Sequence, residues 1–312
     1  MGVSAGKAAK IGRNVMRIGF VAALAMLAAH AAGAQTLDLS KPEDALAAAR
    51  KTQCSLADGE PTFYHWSGRI YSRRPGEADR HIFNVEGMNV RQCATLTDAK
   101  RGKGYKMVSR EIMLYLDPKT GEVLRTWANP WTGETVEVLH VANDPVNMRR
   151  PSFAYGEDGK PFVYGAVRSG DYFLDSTEVP LFYKNPLAGE YQDYVGNNYH
   201  AMEIFDFVVP AGKLLSKKTK RADPAVAWVR VAEWLPWMKM RSRDGLMVVN
   251  AMGRMVDSFE DYPTVLKNEI RSNYPIYTAP PPLDDARPNE TSWTVFKKWA
   301  DTRAEAAKAE RR

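Results

Sequence analysis

Histidine is scarce in this 312-residue chain, which holds five, and cysteine is scarcer still, with two. Beyond the first 34 residues neither HExxH nor GxSxG occurs, and there is no phosphate-binding glycine loop and no dinucleotide fingerprint. Zincin proteolysis, α/β-hydrolase chemistry and nucleotide-driven phosphoryl transfer each depend on one of those arrangements, so none of them is expected. Long apolar runs are also missing beyond the amino terminus, which excludes later membrane-spanning helices. Tandem repeats and low-complexity stretches are absent as well.

The first residues read as an export signal. Lys7, Lys10, Arg13 and Arg17 form a basic region, Ile18 to Ala29 is almost wholly apolar, and Ala32-Gly33-Ala34 supplies a small-x-small cleavage pattern. The apolar run is shorter than the roughly 20 residues that cross a bilayer. Met16, directly before Arg17, is an alternative start. A signal at 1–34 implies a periplasmic or secreted protein, with 35–312 as a single folded unit. Loss of those four cations lowers the formal balance from +6 to +2, too little for a nucleic-acid-binding face. The basic stretch at 213–221 reads as a solvated loop.

Both cysteines, Cys54 and Cys93, follow the signal. In an oxidising compartment they can form a disulfide that ties an amino-terminal helix to the sheet, contributing roughly 4 kcal/mol in the chain-entropy model. Two buried thiols are the alternative. Their wide spacing suits neither a metal site nor a redox dithiol.

The most patterned passage spans 105–141. Val108, Ile112, Leu114 and Leu116 alternate as one apolar face, and Asp117-Pro118-Lys119-Thr120-Gly121 is a hairpin turn. Val123 to Trp127 reads as the returning strand, and the turn Asn129-Pro130-Trp131-Thr132-Gly133 leads to a third strand at 134–141. Further strands are expected at 63–73, 81–93, 162–167, 171–174, 178–183, 199–209, 225–232 and 246–250. About ten strands without regularly alternating helices predict an all-β fold, a mainly antiparallel barrel or strongly coiled sheet. Helical additions are expected at both ends: one begun by Ser40 and Glu43 as a capping box, and one over 292–308 with Trp293, Phe296 and Trp299 as its stripe. The segment 274–288 is proline-rich and extended.

His200-Ala201-Met202-Glu203-Ile204-Phe205-Asp206 is the densest cluster of acid and imidazole groups. On a strand, His200 and Asp206 share one face about 20 Å apart, with Glu203 opposite, a poor metal-binding arrangement. A metal-free acid–base site is the simpler expectation, with His65 and His200 as proton shuttles. Glu203, sunk among Tyr199, Phe205 and Phe207, would act as an acid raised by desolvation, and Arg254 would place the substrate. Arg69, Trp127, Asn129, Trp131, His140 and Trp234 are candidate ligand-lining residues, because aromatic walls with a few polar groups suit a lipophilic small molecule. The expected function is therefore an exported small-molecule enzyme, a lyase, isomerase or hydrolase, with no cofactor. Its rivals are a non-catalytic carrier built on the same pocket and an envelope scaffold. The expected partner is a small molecule, with neither nucleic acid nor a membrane span, and the sequence sets no oligomeric state.

The segments WSGRIYSRRPGE at 66–77, HIFNVEGMNVRQC at 81–93, LDPKTGEVLRTWANPWTGETVEVLHVANDPVN at 116–147 and the later FYKNPLAGEYQDYVGNNYHAMEIFDF together resemble the bacterial and fungal family labelled domain of unknown function 1838. The resemblance covers residues 45–300 and is most specific in DPKTGEVLRTWANPWTGE. It implies one folded unit and brings no catalytic residues with it.

Overall fold

A computed structural model describes residues 36–184, 198–241 and 243–310. The expected signal at 1–34 lies outside the described residues. Helix α1 (Pro42–Gln53) is followed by three long strands, β1 (Thr62–Arg73), β2 (Arg80–Asp98) and β3 (Gly102–Leu116). Short strands come next: β4 (Thr126–Ala128), β5 (Thr135–Glu137), β6 (Val141–Asn143), β7 (Ser152–Phe153) and β8 (Val167–Ser169). The second half contains β9 (Tyr172–Lys184), β10 (Asn198–Pro210), α2 (Ala211–Leu215), β11 (Ala225–Ala232), β12 (Leu246–Val256), α3 (Thr264–Asn273) and α4 (Ser292–Glu310).

The main sheet has ten strands, ordered β6-β3-β2-β1-β12-β11-β10-β9-β8 with β7 also on β3, and its pairings are antiparallel. Its end strands do not pair with each other, so the mainly antiparallel expectation holds but the barrel is not closed. Curvature is nonetheless strong. Glu111 on β3 and Glu203 on β10 stand five strand spacings apart, about 24 Å across a flat sheet. Tyr115 of β3 and Tyr199 of β10 nonetheless belong to one buried cluster, so β3 and β10 curve toward one another around a concave inner surface.

Strand periodicity divides the side chains between two faces. The register places Tyr64, Trp66, Gly68 and Ile70 of β1 inward, level with Asn89, Gly87, Val85 and Phe83 of β2 and with Met255, Gly253, Ala251 and Val249 of β12. One end of this inner surface is filled by Phe83, Tyr115, Tyr199, Trp234, Trp237, Met238, Trp293 and Phe296. At the other end Leu46 of α1 packs with Cys54, Cys93 and Tyr105. Cys54 and Cys93 are joined by a disulfide that spans a sequence separation of 39, which settles the alternative left by the sequence. On the outer face, Met88, Ile112 and Leu114 are covered by Leu266 and Ile270 of α3.

Two local expectations are corrected. The segment after Gly121 does not return along β3: Val123 makes only an isolated bridge to Leu116, and β4 and β5 form a separate two-stranded sheet. Both turns form as expected, with Gly121 and Gly133 at φ near 74° and 73°, but the chain leaves the sheet plane between them to cover the aromatic core. At α1, Ser40 does not cap. Its hydroxyl donates to Asp38 Oδ1 at 2.6 Å, and Lys41 occupies the cap position without a side-chain bond.

Lys51 explains how α1 is anchored. It is fully buried, and its Nζ donates to the carbonyls of Lys213, Leu214 and Ser216 and to the hydroxyl of Thr219, at 2.5 to 2.8 Å. Carbonyls at the end of a short helix are satisfied by this cation together with the Thr219 hydroxyl, and the charge is solvated by protein dipoles.

Candidate functional site

The site grows from two apolar strands, each carrying one inward charge. In β3 the inward series is Ser109, Glu111, Met113 and Tyr115, and in β11 it is Val226, Trp228, Arg230 and Ala232. Across β10, Glu203 lies opposite Arg230, and its Oε1 accepts from Arg230 Nη1 at 2.5 Å. Arg230 Nη2 donates to Tyr199 Oη at 2.6 Å. Burial acts to lower the Arg230 pKa, but Tyr199 and Glu203 outweigh it and the guanidinium is held firmly as a cation.

Glu111 behaves differently. Burial raises its pKa, Asn143 opposes this by donating from Nδ2 to Oε1 at 2.8 Å, Glu203 pushes it up further, and Arg230 and Arg91 pull it down. Arg91 is itself tied by Nε to Asn89 Oδ1 at 2.7 Å and by Nη1 to Gln53 Oε1 at 2.9 Å, with its guanidinium 4.7 Å from the Tyr64 ring centre. Two carboxylates and two guanidiniums thus share one concave face. One carboxylate is locked in an ion pair and the other has its pKa raised by burial.

The surroundings of these groups are indoles and missing side chains. Trp66 and Trp228 stand edge to face with ring centres 6.2 Å apart. A Cβ at Gly87 would lie 2.3 Å from the Trp66 ring, so glycine there is what lets the indole lie down on the sheet. Three buried polar atoms of this face, Trp66 Nε1, Trp228 Nε1 and Asn143 Oδ1, have no hydrogen-bond partner among the described residues. Buried polar groups are rarely left so, and here three of them fall on one face.

The residues singled out from the sequence separate. Glu203 is part of this inner cluster, whereas His65, Arg69, Arg254 and His200 lie on the outer face, so the four proton-handling and anchoring groups do not converge. His65 Nε2 is 2.6 Å from Glu86 Oε2, with Arg254 directly opposite in register and exposed, and Arg69 is exposed further along β1. His200 is exposed, bonds Glu233 Oε1 at 3.0 Å and stacks on Phe182. As the strand period required, Asp206 shares its face and Glu203 does not. No group of three metal-ligating side chains occurs among the described residues.

The expected lining residues belong to the packed end. Trp127 packs on Phe83 and Trp237, while Asn129 donates to the Met238 carbonyl at 2.8 Å and accepts from the amides of Trp131 and Thr132. Trp131 Nε1 donates to Glu77, and Trp234 Nε1 donates to the Arg243 carbonyl. His140 accepts from the Tyr115 amide at 3.1 Å, and burial lowers its pKa to about 4. The polar atoms of Asn129, Trp131 and Trp234 are thereby spent on the fold.

Sequence reasoning missed Glu111, Arg91, Arg230 and Asn143. Part of the signal was present: Arg230 is the one charge in AVAWVRVA, a strand apolar on both faces with no solvent side to turn to, whereas Glu111 follows Arg110 and bears no such mark.

A groove elsewhere, of about 660 Å³, is lined by Arg101, Arg150, Phe153, Tyr155, Lys160 and Phe162. It opens on the surface, and Arg101 is already paired with Asp98.

Among curated proteins none matches this chain. The family described as "Protein of unknown function (DUF1838)" matches residues 59–300, a span that includes β1 to β12 and every residue of the inner cluster except Gln53, and the chain belongs to that family.

Proposed function

We propose that the protein is an exported enzyme that binds a lipophilic, ring-containing small molecule on its concave face and transforms it by proton transfer through Glu111. The observation that carries this reading is the division of labour between two carboxylates. Glu203 is paired with Arg230, while burial, with a smaller contribution from Glu203, raises the pKa of Glu111 above the ordinary carboxylate value, the direction that suits a general acid–base. Arg91 and Arg230 supply positive charge against which a transient anion can form. Lyase and isomerase chemistry fit best, since one carboxyl can both remove and return a proton. The disulfide suits an oxidising compartment, and among the described residues no helix is long and apolar enough to cross a membrane.

The test is incubation of the protein with a small-molecule extract in deuterated water, followed by mass spectrometry. Wild-type protein is expected to label or isomerise a lipophilic compound, and Glu111→Gln to retain that compound without change. Retention by both proteins with turnover by neither would replace the enzyme by a carrier. A scaffold role is favoured by a different observation, the exposed Met202, Phe182 and Met252 on the outer face. In that case neither protein retains a ligand.

A further inference from the structure

We infer that Trp66 and Trp228 form an oxyanion-binding pair, and that the substrate class is a neutral carbonyl compound that passes through an enolate. This rests on the acid–base reading of Glu111 and adds which atom of the substrate bears the charge.

Four observations converge. First, the two indoles project from the same face: Trp66 lies level with Gly87 and Gly253, and Trp228 with Ala251 and Gly68 in the adjoining row. The Trp66 ring lies directly over Gly87, and the row of Trp228 continues through the small residues Ala251 and Gly68. Second, each ring has a buried N–H that donates to nothing among the described residues. An indole nitrogen is a donor only, so the complement it calls for is an acceptor. Third, the proton-carrying group projects from the same face. Glu111 is two residues before Met113, which stands level with Gly87 and Trp66, and Arg230 is two residues after Trp228. Fourth, the fixed charges balance when Glu111 is ionised, with Arg91 and Arg230 against Glu111 and Glu203. A neutral substrate preserves that balance. Once Glu111 has taken a proton, the negative charge has moved to the substrate and faces the same two cations.

The step conserves atoms and electrons. The Glu111 carboxylate takes a proton from the carbon beside the carbonyl, the C–H pair becomes a C–C double bond, and the carbonyl π pair moves to oxygen. The resulting O⁻ accepts hydrogen bonds from the two indole N–H groups. Where the substrate carries a carbon–carbon double bond next to the carbon that loses the proton, the anion is a dienolate, and return of the proton from Glu111 to its far carbon restores the carbonyl, shifts the double bond into conjugation and completes an isomerisation with no oxidant or reductant. Asn143 holds the Glu111 carboxyl through Nδ2, and its unpartnered Oδ1 is available to a hydroxyl of the ligand. Donors fixed in place before charge develops do not have to reorganise when it does.

The experiment uses 4-nitrophenol, whose absorbance reports whether the bound phenol is ionised. Wild-type protein is expected to bind the phenolate and shift its apparent ionisation to lower pH. Trp66→Phe and Trp228→Phe are each expected to weaken phenolate binding about tenfold or more, the size of a lost hydrogen bond to a charged acceptor. Far-ultraviolet circular dichroism establishes that each variant is folded, and Gly87→Ala, which displaces the Trp66 ring, is expected to act in the same direction. Glu111→Gln separates this proposal from the one beneath it: it should abolish deuterium incorporation yet bind phenolate as tightly as wild type or more so. Folded tryptophan variants with undiminished phenolate binding, or wild-type protein that leaves the ionisation of 4-nitrophenol unmoved, would overturn the oxyanion pair while leaving proton transfer by Glu111 standing.

Discussion

Asn143 and Glu111 are direct cross-strand partners on β6 and β3, and the Asn143 amide donates to the carboxyl at 2.8 Å while its own oxygen is left over. The amide can serve either protonation state of the carboxyl, accepting the donor role when Glu111 is charged and still holding its orientation when it is not. Fixing a proton carrier in place without fixing its proton is what an acid–base group requires.

Glu111 makes its cost visible in the pH dependence of stability. Its folded pKa is raised by burial, so the folded state holds more protons than the unfolded chain between the ordinary value of 4.5 and the raised one. Stability contributed by the protonated form is complete below the ordinary value and declines as pH rises through the folded value. Glu111→Gln is expected to remove that decline and to match or exceed wild type in thermal denaturation above neutral pH. A steeper loss in the variant would contradict the assignment.

The Arg230 pair predicts the opposite sign. Arg230→Met leaves Glu203 and Tyr199 without their cation in a half-buried setting. Breaking one side of such a pair is expected to destabilise by about 2 to 3 kcal/mol, somewhat less than for full burial because the side chains retain partial solvent contact. Urea denaturation of the single variants and of Arg230→Met/Glu203→Leu gives the coupling, and the double variant should recover part of the loss.

His140 should govern the acid limb. Its pKa falls from 6.5 to about 4 because burial disfavours the charged ring. The unfolded chain therefore binds more protons between those values, and stability falls as pH is lowered through that window. The full difference is worth about 3 kcal/mol at roughly 1.4 kcal/mol per pH unit. His140→Asn should flatten chemical-denaturation stability between pH 4 and 6.5 relative to wild type, whatever it does to the absolute value.

Lys51 is the anchor of α1. Lys51→Met removes the donor from three carbonyls and a hydroxyl, and unsatisfied buried acceptors cost about 1 to 3 kcal/mol each before water or local movement relieves them. A net loss of about 3 kcal/mol is expected, with amide exchange accelerated first at 42–53 and 211–219. Unchanged exchange there would show that the packing of Leu46 and Leu214 suffices without the cation.

The sequence by itself determined the strand-rich, antiparallel character, the turns at Gly121 and Gly133, the stripe of α4 and the opposite facing of His200 and Glu203. These follow from backbone dihedral limits and from periodicities of about 2 and 3.6 residues, which act within one element. Only the tertiary structure decided that the sheet stays open, that Cys54 meets Cys93, and that Glu111, Arg91, Arg230 and Glu203 share one concave face while His65 and Arg254 lie outside it. Which strands become neighbours, and how tightly a sheet curls, depends on the summed packing of side chains far apart in the chain, and no local pattern records that sum.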